Sequence, residues 1–352
     1  MSAPEGQSVL PRPIRAVLLA CILLISLMAF AGPAGAETQV ITKKVGPIQV
    51  GPYQVALGGP QAPGGPAPKV PNIEGFITRM SVDVVDVNTG KPVPIKRIML
   101  HHIVFFNVGT AEARRFDPFY GDGEERAKMV LPEGYGYPIH PGEQCGWVWM
   151  LMNHQSIADQ VQIRYRMTVV TGEELKPVIP LSFDTSNRRQ ALVFDVPGGG
   201  KPGSTDVRTF ERPAPVAGRL VAGLGHVHGG AKGLILSQPA CQNRPLYRSK
   251  PTWGKKTHPF YQVRPVLHEP GPINMSQFTS EKGIPVAAGE TLRLTSRYDN
   301  QVPPLPRHGS DGGLPLARPH GQGDALQQAA TRHRGPEDET QRPHQGAAAP
   351  DQ

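Results

Sequence analysis

"FITRMSVDVVDVNTGKPVPIKRIMLHHIVFFNVG", residues 76–109, holds two apolar runs separated by a turn signal, and its periodicity decides the fold class. In the first run Met80, Val82 and Val84 alternate with polar neighbours, the two-residue period of a strand with one buried face. Asn88-Thr89-Gly90 supplies residues suited to a tight reversal, and "IMLHHIVFF" returns as a second apolar strand. The returning strand carries an oddity. His101 and His102 are adjacent, whereas neighbouring strand residues point to opposite faces, so at most one should look into a core. Either one imidazole packs inside while the other meets water, or a local twist or bulge turns both toward one ligand.

The strand pattern recurs along the chain, at 145–154, 160–170, 191–196, 218–228, 231–237, 261–267 and 290–300. Helical spacing is confined to the short "AEARRF" stretch, 111–116. Glycine and proline together exceed a fifth of the 352 residues without collagen periodicity, which suits many short strands joined by turns. The class is therefore all-β. The break "PGGGKPGSTD", 197–206, predicts two jelly-roll-like β-sandwich domains, residues 73–198 and 207–300. Ahead of them, residues 37–72 read as an exposed Gly/Pro-rich lead-in with room for an edge strand at its start.

Both ends differ in character from this body. Arg12 and Arg15 precede the apolar run 16–30, and Ala34-Gly35-Ala36 follows as a small-residue cleavage pattern, so residues 1–36 read as a signal peptide. The expected location is secreted or cell envelope, with no membrane association beyond the signal segment, whose apolar run is short for a span. Residues 301–352 contain no Phe, Trp, Tyr or Ile and read as a disordered tail. Two cysteines follow the signal, Cys145 and Cys241, which an oxidising compartment would allow to pair or leave free. The formal charge of +8 is spread out, and no basic run interleaves with aromatics, so no nucleic-acid partner is expected.

Eight histidines fall between residues 37 and 300. In "GLGHVHGG" His226 and His228 are two apart, so in extended chain both rings face one side and can grip one ion; the alternative is a solvent-facing or hydrogen-bonded pair. His154 ends the apolar strand "CGWVWMLMNH", whose Trp147, Trp149 and Met150 to Met152 read as core and turn residues. His140, His258 and His268 read as loop or surface residues. Imidazole suits copper, zinc, iron and nickel alike, so ligand type alone does not choose the metal.

The order of a dihistidine, a single histidine and an HxH pair over two β-sandwich halves resembles the copper type II ascorbate-dependent monooxygenases. That group contains the peptidylglycine α-hydroxylating and dopamine β-monooxygenases. The contexts "VDVVDVNTGKPVPIKRIMLHHIVFFN" and "GHVHGG" are more similar still to a related branch, the stress-up-regulated nodulin-like proteins of plants and their bacterial relatives. The resemblance spans roughly residues 74–300. It implies that His101, His102 and His154 hold an electron-transferring copper, and that His226 and His228 hold a second copper where oxygen binds. In the family a methionine on a late strand completes the second site, after a segment similar to "GETLRLTSRYDN". No matching strand follows that segment here, and Met275 does not match in position. Reading "RHGSDGGLPLARPHGQG" one nucleotide later would permit a strand beginning "VMGRM", so a frame shift in the tail is a hypothesis that sequencing the gene across codons 295–325 would test.

The implied reaction is C–H hydroxylation with O2, driven by ascorbate or another one-electron donor, on a small-molecule or peptide substrate that the sequence leaves unspecified. No catalytic side chain is named. Two other readings stay open: a non-catalytic metal-binding or interaction protein on the same scaffold, and a single-metal zinc protein using His226 and His228.

Overall fold

A computed structural model describes residues 35–59, 68–185, 196–267 and 270–301. Nearly all of the signal segment, most of the strand expected at 191–196, His268 and the tail beyond residue 301 lie outside the described residues.

The first half supplies ten strands: β1 Glu37–Val50, β2 Val55–Gly58, β3 Gly75–Asp86, β4 Ile98–Gly109, β5 Arg114–Gly123, β6 Met129–Val130, β7 Tyr135–Ile139, β8 Gln144–Asn153, β9 Asp159–Thr171 and β10 Lys176–Pro177. They form a six-stranded sheet, ordered β1-β9-β3-β7-β10 with β6 on β3, and a four-stranded sheet, ordered β2-β8-β4-β5. The alternating residues of β3 and β9, among them Met80, Val82, Val84, Ile163, Tyr165 and Met167, face Ile98, Leu100, Ile103 and Phe105 of β4 and Trp147 of β8 in one core. At its centre the Phe105 ring lies 5.4 Å from Trp147 and 5.3 Å from Tyr165, in edge-on contacts that add to area burial.

The second half supplies β11 Thr205–Pro213, β12 Gly218–Gly223, β13 Ala231–Gln238, β14 Arg244–Ser249, β15 Pro251–Thr252, β16 Asn274–Met275, β17 Phe278–Val286 and β18 Thr291–Asp299. A four-stranded sheet, β11-β18-β13-β14, packs over the β12-β17 pair, with Ala214, Leu236, Leu246 and Leu292 at its core. β15 and β16 form a further short pair. The all-β class is thus observed.

Several sequence-based expectations need correction. Residues 37–58 hold the edge strand for which their start left room, β1 on β9 from Glu37 to Val50, and also β2, which extends the second sheet and was not expected. Leu181 and Phe183 already pack on the second core, so the chain crosses between halves before the Gly-rich break. The "AEARRF" stretch is not helical; β5 begins at Arg114, because six residues cannot nucleate a helix against a ladder with β4. The strand expected at 261–267 is instead the 3-10 turn Pro259–Gln262 followed by irregular chain, since Pro259 and Pro265 cannot donate to a ladder. β18, the segment after which the resemblance expects a further strand, is hydrogen-bonded to β11 on one side and β13 on the other.

The two halves meet where Phe260, with Tyr261, Leu267 and Ile273, packs against Met99 and Met152 on the outer face of the second sheet. His101 and His102 lie on β4 a few residues beyond Met99.

Candidate metal centre

The adjacent histidines are reconciled by a β-bulge. Leu100 pairs with Leu151 and His102 pairs with Met150, so His101 is an extra residue with no partner on β8. Before the bulge the even-numbered Ile98 and Leu100 face the core; after it the odd-numbered Ile103 and Phe105 do. Both histidines are thereby left on the face that looks toward the second half. His101 is buried and His102 half-buried.

The other pair arrives from the second half, though not on a strand. β12 stops at Gly223, and Leu224–His228 continues as extended chain without a ladder, with Ser249 and Leu234 crowding Gly225. Val227 is buried in a cluster with Met275 and Tyr298, so extended alternation turns His226 and His228 the other way.

Four rings converge. His101 and His102 have centroids 3.9 Å apart, His102 lies 4.7 Å from His226 and 5.1 Å from His228, and His101 lies 5.0 Å from His228. One nitrogen from each of His101, His102 and His228 falls within 4.8 Å of the others, and His226 Nε2 stands 3.3 Å from His228 Nε2. The resemblance would have divided these residues between two coppers; their rings form one cluster. His154 is not one of the three residues so grouped. It lies just past β8, buried, with its backbone N–H donated to the Arg97 carbonyl at 3.3 Å, beside Met99 and Phe260.

Two buried carboxylates that sequence reasoning missed orient the cluster. β5 ends at Gly123, opposite His102, and the chain turns there to place Glu124 and Glu125 against the rings. Glu124 Oε1 lies 2.6 Å from His101 Nδ1, while Oε2 accepts the Gly271 N–H at 2.7 Å. Glu125 holds His226 Nδ1 at 2.9 and 3.0 Å. An ionised carboxylate only accepts, so each Nδ1 donates, and a neutral ring then offers its Nε2 lone pair to a cation. Gly123 makes room: a Cβ there would come within 2.8 Å of His226 Cε1 and 2.9 Å of the His101 carbonyl oxygen. The signal in the sequence was "GDGEERA", 121–127, an acidic run in a basic chain.

Burial, with the charge of Glu125 adding, pushes the Asp122 carboxyl up to about 7, against the pull of Arg126 and of the Gly123 and Ala127 N–H groups. For His226, whose side chain is still a third exposed, desolvation disfavours the charged ring, but the charge and hydrogen bond of Glu125 outweigh it and raise the pKa, with Glu124 and Asp122 contributing. Two buried carboxylates that each hold an imidazole Nδ1 leave the Nε2 atoms of His101 and His226 to accept, and with His102 and His228 beside them the rings form a donor set that fits a divalent transition metal. Cys145 and Cys241 are both free thiols, the first buried and the second exposed.

No family model and no curated protein matches this sequence. Among solved structures, a recombinant peptide:N-glycanase F is 11% identical over 78% of this chain and 91% of its own, with a TM-score of 0.30. A peptide-N(4)-(N-acetyl-β-D-glucosaminyl) asparagine amidase is 9% identical over 75% and 98%, with a TM-score of 0.27. Likeness this low assigns neither fold nor activity to the present chain.

Proposed function

We propose that the protein is an exported copper-binding protein related in design to the O2-dependent, ascorbate-driven C–H hydroxylating monooxygenases. Its metal is held at one centre by His101, His102 and His228, with His226 as a fourth imidazole. The observation that carries this reading is the convergence of His101 and His102 with His228, far apart in sequence, on nitrogens within 4.8 Å of one another, with His226 Nε2 3.3 Å from His228 Nε2. When bound, copper supplies one-electron redox chemistry, with ascorbate or another one-electron donor as reductant. The chain's own part is preorganisation. Glu124 and Glu125 keep the Nδ1 protons of His101 and His226 in place, the bulge aims both adjacent rings one way, and Gly123 leaves His226 space to approach.

A second reading, non-catalytic metal binding on the same scaffold, is favoured by Met275, which is buried in a hydrophobic cluster with Val227, Leu234 and Tyr298.

Metal analysis of the purified protein and of His101→Ala and His226→Ala tests the assignment. One copper per chain, abolished or severely weakened in both variants, supports a single centre. Two coppers, with one lost in each variant, would restore the divided arrangement, and no bound copper would remove the reading. Oxygen consumption with ascorbate then separates the enzyme from the non-catalytic binder.

A further inference from the structure

We propose that the cleft of about 610 Å3 beside Glu124 binds an amphipathic organic anion, an aliphatic body with a carboxylate head, and that Arg126 anchors the head. The size is in the ordinary range for small-molecule sites. Its walls come from β3, from the turn after β5 and from the segment of the second half that carries Phe260 and Ile273.

The chemistry of those walls is divided. Val93, Ile95, Phe260 and Ile273 present an apolar side, whereas Arg126, Lys128 and Arg166 present cations. The acids that also line the cleft are already engaged: Asp83 receives Arg164 at 2.8 and 2.5 Å with Arg166 at 3.6 Å, and Glu124 is held by His101 and Gly271. Arg126 differs. Its Nη1 is buried with no hydrogen-bond partner among the described residues, an arrangement that costs free energy unless a ligand completes it. Its backbone is held at φ 54°, in the left-handed region that a bulky residue adopts at a cost. Arg126 lines the cleft, and a strained cationic residue beside an aliphatic wall matches a carboxylate with a hydrocarbon tail. The assignment does not depend on which metal, if any, occupies the histidine cluster.

Calorimetric titration of the full chain, kept metal-free with a chelator, compares octanoate with 1-octanol. Octanoate is expected to bind at least tenfold more tightly than octanol, and Arg126→Gln to lose at least tenfold in octanoate affinity while octanol is unaffected. Lys128→Gln, at the exposed rim, is expected to weaken octanoate about threefold at low ionic strength and to keep its fold, so it tests the site even should the Arg126 variant not fold. Equal affinity for the acid and the alcohol, unaltered octanoate binding in a folded Arg126→Gln or in Lys128→Gln, or binding that requires the metal-loaded protein would each overturn the proposal.

Discussion

His226 Nδ1 donates to both carboxylate oxygens of Glu125, at 2.9 and 3.0 Å, across 101 residues of sequence. Each residue comes from a different half, so the bond aligns a ring from the second half on a carboxylate fixed by the first. Glu125→Gln keeps the shape but loses the charge and one acceptor. Metal affinity is expected to fall by about 10- to 100-fold, the usual effect of removing a carboxylate behind a ligating imidazole. Competition titration against a chelator measures it, with stoichiometry unaltered.

Gly123→Ala probes the same approach from the steric side. The added methyl meets the His226 ring and the His101 carbonyl below 3.0 Å, and the carbonyl belongs to the paired strand and cannot swing aside. Overpacking of this kind costs about 1–3 kcal/mol. The variant should melt at a lower temperature and bind metal more weakly. A variant with wild-type melting and wild-type affinity would show that the two halves do not close on each other in this way.

Arg97 ties the turn after β3 to the start of β9, reaching Asp159 at 2.6 and 2.8 Å and Asp86 at 2.8 Å. The Arg97 hydrogen bond holds Asp159 below its ordinary value. For Asp86, the Thr89 backbone N–H and then Arg97 bring the pKa down to about 2. Depressed carboxylates stabilise the fold above their unfolded pKa, near 4, and that contribution is lost as pH falls toward 2. Urea midpoints of wild type and Arg97→Leu should therefore differ most above pH 4 and converge near pH 2. A gap that is constant over this range would mean that Arg97 acts by packing alone.

The two described thiols should differ in reactivity. Burial pushes the Cys145 thiol up to about 12, whereas Cys241 is exposed. Because the thiolate is the reacting form, a maleimide should label Cys241 in the native protein and Cys145 only after unfolding. Peptide mapping reads the result, and native labelling of Cys145 would contradict its place in the first core.

What could be read from the sequence was what depends on local period. The alternation of Met80, Val82 and Val84 announced β3, and the spacing of His226 and His228 announced two rings on one side, although no ladder carries them. The location of the bulge was not legible, because it is set by register with β8 rather than by any residue of β4. The burial of Glu124 and Glu125 was not legible, because segments 101 and 147 residues away in sequence supply their partners His226 and Gly271. The merging of the histidines depends on long-range contacts, Phe260 on Met99 and Val227 beside Met275, that no window of sequence contains. β17, "FTSEKGIPV", escaped because it is only half-buried and lacks a clean apolar face.

The extra residue at His101 has a genetic consequence. Deleting one codon there would remove an imidazole and restore strict alternation through β4, with Leu100, Ile103 and Phe105 still facing the interior and His102 facing out. The ligand pair depends on this insertion, whereas the hydrophobic phase of the strand does not. A lineage shedding the metal is therefore expected to be free to lose this one codon, which removes a ligand and leaves the first sandwich its core.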